Sequence, residues 1–291
     1  MKKTLITGAN SYIGMSFEKY MQQWPEDYQV DTVDMIDGTW RNMSFAGYDT
    51  VYHVAGIAHS DNGKISPERE KLYRSVNTDL TVETAKKAKA DGVGQFVFMS
   101  SAIVYGESAP LGKEKVITRD TPVNPANCYG DSKVQAENGI RPLEDASFKV
   151  VILRPPMIYG KGSKGNYPTL SKLAKKLPLF PKVNNCRSML YIENLCEFVR
   201  LMIENEETGT FWPQNDAYSN TSELVSMIAA AHGKKIRLTK LFNWALPLAR
   251  CATGLVDKAF GNLSYDRSIS EYKQPYRLVS LEESILRTEK E

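Results

Sequence analysis

Short apolar runs recurring between segments of helical period constrain the fold of this chain most tightly. The first, Leu5-Ile6-Thr7, meets Gly8, and a helical pattern follows through Ile13, Phe17, Tyr20 and Met21 until Trp24-Pro25. Val30 to Asp34, Thr50 to Val54, Phe96 to Ser100 and Val150 to Leu153 read as further strands. Between them lie a helical stretch from Val76 to Ala90 and a helix beginning near Tyr129. Buried strands alternating with helices predict an α/β fold, a doubly wound parallel sheet of Rossmann type. After Pro155 the texture changes: Gly160, Gly162, Gly165, Pro168, Pro178 and Pro181 punctuate short segments and the alternation stops. This predicts residues 1–156 as a dinucleotide-binding domain, with about 188–206 returning to it, and 157–291 as mainly a smaller, loop-rich substrate lobe. Helices are expected over Glu193 to Glu204, Ser222 to His232 and Ser280 to Arg287.

The turn Gly8-Ala-Asn10-Ser11-Tyr12-Ile13-Gly14 lies between the first strand and its helix, where a dinucleotide pyrophosphate binds. Glycine lets the backbone approach closely there, and amides at the helix N terminus receive the negative charge. Ser11 stands where a third glycine is usual. Asp34, about 20 residues past the last glycine, is at the distance expected of an acid that holds the adenosine ribose hydroxyls, which favours NAD. The next apolar run arrives early after Asp34, so one strand and its connection are shortened. Arg41, placed to meet a 2′-phosphate, keeps NADP as the alternative.

Composition narrows the class. The 291 residues are 42% hydrophobic and 24% charged, ordinary for a water-soluble globular chain able to bury a large core. A net charge of +3, spread along the sequence, offers no polyanion-binding tail, so no nucleic-acid partner is expected; Lys86-Lys87 and Lys175-Lys176 read as solvated helix faces. Cys128, Cys186, Cys196 and Cys251 and the three histidines show no ligand spacing, so no metal is expected. Apolar runs are too short for a signal segment or a membrane span, and the expected compartment is the cytoplasm.

Four motifs then occur in order: Gly8 to Gly14; Asp49-Thr-Val-Tyr-His53-Val54-Ala55-Gly56; Ser100-Ser101-Ala102-Ile-Val-Tyr105-Gly106; and Tyr129-Gly-Asp-Ser-Lys133. Leu153-Arg-Pro-Pro156-Met-Ile-Tyr159-Gly160, Arg187-Ser-Met-Leu-Tyr191-Ile-Glu-Asn194-Leu and Ser280-Leu-Glu-Glu-Ser-Ile complete the series. Together they resemble an extended short-chain dehydrogenase/reductase of the nucleotide-sugar epimerase/dehydratase family, over nearly the whole chain. A free tyrosine, pKa about 10, is a poor base at neutral pH, so it needs a nearby cation. Lys133, one helical turn beyond Tyr129 on the same face, can supply it.

The resemblance implies Ser101, Tyr129 and Lys133 as the catalytic set, with Lys133 also bonding the nicotinamide ribose. Ser101 orients the substrate hydroxyl, and Ser100 is the alternative whose ordinary role is strand-end hydrogen bonding. The implied cofactor contacts are Gly8, Asn10, Ser11, Tyr12, Ile13, Gly14, Asp34, Val54, Ala55, Gly56, Tyr129, Lys133 and Pro156. The implied substrate contacts are Ser101, Ala102, Tyr129 and Arg187, the arginine holding the nucleotide diphosphate. Met157 stands near the place where family members often carry an asparagine for that diphosphate. His53 and Asn77 read first as structural, and Cys128 as a packing neighbour. His59 and Asp61 follow a strand end facing the cofactor crevice, where a loop role competes with substrate contact.

The implied activity is NAD(P)-dependent oxidoreduction at C4 of a nucleotide sugar, and two competing reactions use the same side chains. A UDP-hexose or UDP-N-acetylhexosamine 4-epimerase would pass through a 4-keto intermediate. A UDP-4-keto-6-deoxyhexose 4-reductase of surface polysaccharide synthesis would use added NAD(P)H; segments 177–195 and 255–266 resemble such enzymes. A 4,6-dehydratase is disfavoured because Ala102-Ile103 replaces the Asp-Glu pair after the catalytic serine. A regulator that binds NAD(P) without turnover is the distant alternative, since such proteins usually lack the tyrosine and lysine. Family habit adds a homodimer, and the apolar run from Leu241 to Leu255 suits packing of the small lobe, a membrane face or a partner protein.

Overall fold

The computed structural model describes residues 1–58, 65–241, 243–246 and 255–290. The chain forms two compact units. One comprises Met1–Gly106, Pro122–Pro155 and Leu195–Pro213; the other comprises Glu107–Thr121, Pro156–Asn194 and Gln214–Glu291.

The strands in chain order are β1 (Lys2–Thr7), β2 (Tyr28–Val33), β3 (Thr50–His53), β4 (Gln95–Met99), β5 (Val116–Ile117), β6 (Lys149–Leu153), β7 (Met157–Tyr159), β8 (Leu179–Pro181), β9 (Met189–Tyr191), β10 (Gly209–Phe211), β11 (Arg237–Thr239) and β12 (Ser264–Tyr265). The main helices are α1 (Tyr12–Met21), α2 (Pro67–Tyr73), α3 (Leu80–Ala90), α4 (Cys128–Ile140), α5 (Asn166–Lys176), α6 (Ile192–Glu204) and α7 (Thr221–Ala231).

In the first unit six strands form one all-parallel sheet in the order β10-β6-β4-β3-β1-β2. Strand register explains the two buried faces. Leu5, Val51, Phe96 and Val150 are paired in one row across the sheet, and Ile6, Tyr52, Val97 and Val151 in the next. Because side chains alternate along a strand, the rows face opposite ways. The first packs with Ala85, Ala88, Ala136 and Ile140 of α3 and α4. On the second, Phe17 of α1 meets Tyr52 edge to face, ring centroids 5.2 Å apart. Covered on both faces, the strands are apolar throughout, as in QFVFM and KVVIL. The chain reverses direction across the sheet between β1 and β3, so the crevice at their carboxyl ends is the topological switch point where ligands of such folds bind. The sheet ends at β2; the segment after it is a 3-10 turn over Thr39–Asn42.

The second unit holds three two-stranded parallel pairs, β7-β9, β8-β11 and β5-β12. Its core includes Tyr159, stacked 5.2 Å from Tyr167 and accepting from Asn215 Nδ2 at 3.0 Å. Asn194 locks the C-terminal segment, donating to the Val279 carbonyl at 2.9 Å and accepting its amide at 3.0 Å. The glycine- and proline-rich texture conceals α5, an eleven-residue helix. Pro168 sits in its first turn, where a missing N–H costs no intrahelical bond. His59 and Asp61, weighed above as substrate contacts, lie outside the described residues, as do Phe242 and 247–254 of the apolar run. Among the described residues, no helix is long and apolar enough to cross a membrane.

Candidate functional site

The glycine turn is built by three different devices. Gly8 has φ +104°, and a Cβ there would lie 2.9 Å from the Ala55 backbone, so only glycine lets the β1 end pass the β3 end. Its amide and that of Ala9 are held by the Val33 carbonyl at 3.0 and 3.1 Å. Asn10 supplies the second left-handed position, φ +65°, which asparagine tolerates better than most residues. Ser11 therefore needs no glycine-like freedom. At φ −72° it caps α1, its hydroxyl accepting the Gly14 amide at 3.1 Å. A Cβ on Gly14 would press on Ser11 Oγ at 2.7 Å and Ile6 Cγ2 at 3.1 Å. The first turn of α1, Tyr12 to Gly14, carries no acidic side chain, so the positive end of its dipole is unopposed.

Asp34 follows β2 directly and is exposed, its Oδ1 accepting the Ile36 amide at 2.7 Å. Arg41 is engaged elsewhere: Nε and Nη2 reach the two carboxylate oxygens of Glu83 at 2.5 and 2.7 Å. Beyond β3, Val54 donates to the Thr7 carbonyl at 3.2 Å. At Gly56 a Cβ would meet Asn77 Oδ1 at 3.0 Å and Lys133 Nζ at 3.4 Å. Asn77 lies in a π-helical turn over Arg74–Asp79. It brackets Ile57, accepting its amide at 2.9 Å and donating to its carbonyl at 3.0 Å, and reaches Ser132 Oγ at 3.1 Å. This ties the β3 loop to α4. His53 is fully buried between Thr7 Oγ1 (2.6 Å) and Thr81 Oγ1 (3.0 Å). Burial, then the nearby Lys133 charge, hold its pKa down to about 3, so it is a neutral cross-link.

At the end of β4 the two serines diverge. Ser100 Oγ donates to buried Glu137 Oε1 at 2.6 Å, while Ser101 is partly exposed and near enough to Tyr129 to lower its phenol pKa. Ser101 also caps the 3-10 turn Ala102–Tyr105, and Ala102 is pinned by its amide to the Pro155 carbonyl at 2.9 Å. Asn127 caps α4, its side chain accepting the Gly130 amide at 2.8 Å. A Cβ on Gly130 would come 2.9 Å from the Ile103 carbonyl oxygen, so this glycine lets the helix carrying Tyr129 close on the serine turn. Cys128 beside it has its thiol pKa raised by burial and then by Glu70, which leaves it a poor nucleophile.

Lys133 shares the helix face with Tyr129, but its ammonium donates to the Met99 carbonyl at 2.9 Å and lies 4.7 Å over the Phe98 ring. Burial pushes the Tyr129 hydroxyl up to about 12, eased by the Ser101 hydrogen bond. Burial also draws Lys133 down to about 8, with Glu137 opposing. The arrangement can relay a proton through Ser101 and Tyr129, with the Lys133 cation one turn away on the same helix.

Sequence reasoning missed the support of this set. Glu137, four residues past Lys133, accepts from Arg154 at 3.0 and 2.5 Å; Arg154 also donates to Tyr105 OH at 2.7 Å, as does Trp212 Nε1 at 2.6 Å. One buried carboxylate thus joins α4 to the ends of β4 and β6 and to the Ser101 turn. The available signal was its i+4 spacing on the buried face of α4.

In the second unit, Arg187 is partly buried, its backbone bridging Ser219 and Leu263 and its Nη1 facing the Ala259 carbonyl at 3.5 Å. Burial lowers its pKa. Pro156 is buried just ahead of β7, and Met157 pairs with Met189.

Comparison with known proteins places these motifs in a lineage. A UDP-glucose 4-epimerase of Vibrio cholerae is 32% identical over 282 residues, spanning 89% of this chain and 83% of that protein. An N-acetyl-α-D-glucosaminyl-diphospho-ditrans,octacis-undecaprenol 4-epimerase of Escherichia coli O157:H7 is 31% identical over 222 residues, spanning 73% and 63%. The fold matches that of Bacillus cereus UDP-glucuronic acid 4-epimerase in complex with NAD, TM-score 0.71 at 17% identity over 98% of this chain and 96% of that one. The profile of the NAD dependent epimerase/dehydratase family matches residues 4–212, and the chain belongs to that family.

Proposed function

We propose that this protein is an NAD-dependent 4-epimerase of a UDP-hexose or UDP-N-acetylhexosamine. The observation that carries the reading is Tyr129 on a helix that presents buried Lys133 one turn on, with Ser101 near enough to lower the phenol pKa, in a chain 32% identical to a UDP-glucose 4-epimerase. The second relative likewise acts at position 4 of a sugar carried on a diphosphate.

The cradle suits a dinucleotide. Gly8 and Gly14 stand where side chains would collide with the fold, α1 offers an unopposed N terminus, and Asp34 follows β2. Gly8, Asn10, Ser11, Tyr12, Ile13 and Gly14 would take the pyrophosphate, Asp34 the adenosine ribose, and Val54, Ala55, Gly56, Lys133 and Pro156 the nicotinamide half. NAD is favoured over NADP because Asp34 would repel a 2′-phosphate, and Arg41 is paired with Glu83. When bound, the cofactor supplies the acceptor for the hydride on C4.

The chain's own residues handle the proton. Ser101 orients the 4-hydroxyl and Tyr129 takes its proton, giving a 4-keto sugar; the same phenol returns the proton after the sugar has turned. A phenol with a pKa of about 12 is almost wholly protonated at neutral pH, so the cation on Lys133 must shift from Met99 toward it to hold the phenolate that takes the proton. Arg187 would take the diphosphate, since a guanidinium suits phosphate oxygens, and Ala102 would line the sugar.

The test incubates purified protein with UDP-glucose or UDP-N-acetylglucosamine without added reductant and identifies products by proton NMR. Appearance of the C4 epimer supports the reading. Turnover confined to a 4-keto-6-deoxy sugar with consumption of NAD(P)H would replace it with a 4-reductase.

A further inference from the structure

One rim of the second unit gathers cations from two segments of the chain. Residues 172–182 and 232–246 carry eight lysines and arginines, Lys172, Lys175, Lys176, Lys182, Lys234, Lys235, Arg237 and Lys240, and no aspartate or glutamate. The fold brings the two segments together. β11 pairs with β8, the Arg237 amide donates to the Pro178 carbonyl at 3.0 Å, and Lys234 Nζ to the Lys175 carbonyl at 2.6 Å. Asn243 Nδ2 reaches the Lys182 carbonyl at 2.8 Å, fixing the 3-10 turn Asn243–Ala245 on the same rim. The carboxylate facing it, Glu289, is taken up by Ser171, Lys175 and His232.

The rim also exposes large apolar side chains. Trp244 is 72% exposed, Leu241 69%, and Leu179 and Leu177 44% and 40%. Lysines alone are an ordinary solvated surface, and scattered apolar residues need no explanation. An exposed tryptophan and leucines set among eight cations form the pattern of a surface that rests in a bilayer interface. There lysines meet anionic headgroups, and tryptophan sits at the headgroup level.

We propose that this rim docks the protein peripherally on an anionic phospholipid bilayer, with Trp244 and Leu241 entering the interface and Lys176, Lys235 and Lys240 facing the headgroups. The inference stands apart from the assigned reaction. Duplex DNA, the other polyanion a basic rim could meet, has no use for the exposed tryptophan and leucines.

The experiment pellets the full chain with sucrose-loaded vesicles of phosphatidylcholine containing 30% phosphatidylglycerol, or none, in about 50 or 500 mM salt. It follows tryptophan emission in parallel. The expected result is binding that requires phosphatidylglycerol, weakens at high salt and shifts emission to the blue. Near an anionic surface each lysine is worth about fivefold in partitioning, so the triple variant Lys176→Glu/Lys235→Glu/Lys240→Glu should lose at least about 100-fold. Trp244→Ser leaves every charge in place and should abolish the blue shift while weakening binding. Circular dichroism checks that both variants are folded. No phosphatidylglycerol-dependent pelleting overturns the proposal, as does pelleting that either folded variant leaves unchanged. Displacement from vesicles by duplex DNA at equal phosphate concentration also overturns it, since the rim would then be a general polyanion surface.

Discussion

Replacing Glu137 with glutamine tests whether the buried carboxylate behind Lys133 holds the site together. Glu137 and Arg154 are 2% and 8% exposed, and the carboxylate takes two bonds from the Arg154 guanidinium, one from Ser100 and one from Arg141 at 3.3 Å. Breaking a buried ion pair on one side costs about 3–5 kcal/mol, because the remaining charge stays buried. Glutamine keeps one acceptor oxygen, which puts Glu137→Gln at the lower end, about 3 kcal/mol, or roughly 6–12 °C in melting temperature for a unit of this size. The substitution also removes the charge that opposes the burial of Lys133, whose pKa is already drawn down to about 8. Without Glu137 the ammonium loses its proton at lower pH, so the alkaline limb of kcat/KM should move to lower pH. Scanning fluorimetry reads the first effect and a pH–rate profile the second. An unchanged melting temperature with an unmoved alkaline limb would refute the reasoning; a lower melting temperature alone would confine Glu137 to stability.

Other named contacts have consequences of their own. Tyr129→Phe should lower kcat by about 10²–10⁴ with NAD affinity retained, measured by calorimetry beside the rate, because only the proton carrier is lost. Gly8→Ala should weaken NAD binding and stability together, since its Cβ would sit 2.9 Å from the Ala55 backbone in a left-handed conformation. Arg187→Ala should raise KM for the UDP-sugar more than it lowers kcat, as expected of a diphosphate contact that forms before the chemical step. His53, with a folded pKa of about 3 against about 6.5 unfolded, binds its proton only in the unfolded chain within that window. Its contribution is therefore complete above pH 6.5 and declines as pH falls toward 3. Urea titrations at pH 7 and 5 should lose about 2 kcal/mol more in the parent than in His53→Gln.

Much of the fold could be read from periodicity, because strands buried on both faces are continuous apolar runs. β1, β3, β4 and β6 lie where Leu5-Ile6-Thr7, Thr50 to Val54, Phe96 to Ser100 and Val150 to Leu153 predict them. α5 escaped because Pro168 and the neighbouring glycines read as breaks, although a proline in a first turn breaks nothing. The shortened connection past Asp34 was legible in the early arrival of the next apolar run, and the sheet does end at β2. Motif spacing put Tyr129 and Lys133 one turn apart on a helix, and α4 carries both, because local sequence sets a helix face. What Lys133 touches was not legible: its bond to Met99 depends on how closely α4 packs on β4. The Glu137–Arg154–Tyr105–Trp212 cluster was hidden for the same reason, its members being distant in sequence and joined only by tertiary packing.

The central claim is that the hydride taken from C4 returns to the same sugar. UDP-glucose and UDP-N-acetylglucosamine bearing deuterium at C4, incubated with the protein and followed by NMR, test it directly. The expected product is a C4 epimer that keeps its deuterium, with no net change in added NAD. Loss of the label into the cofactor pool, or no epimer from either sugar, would contradict it.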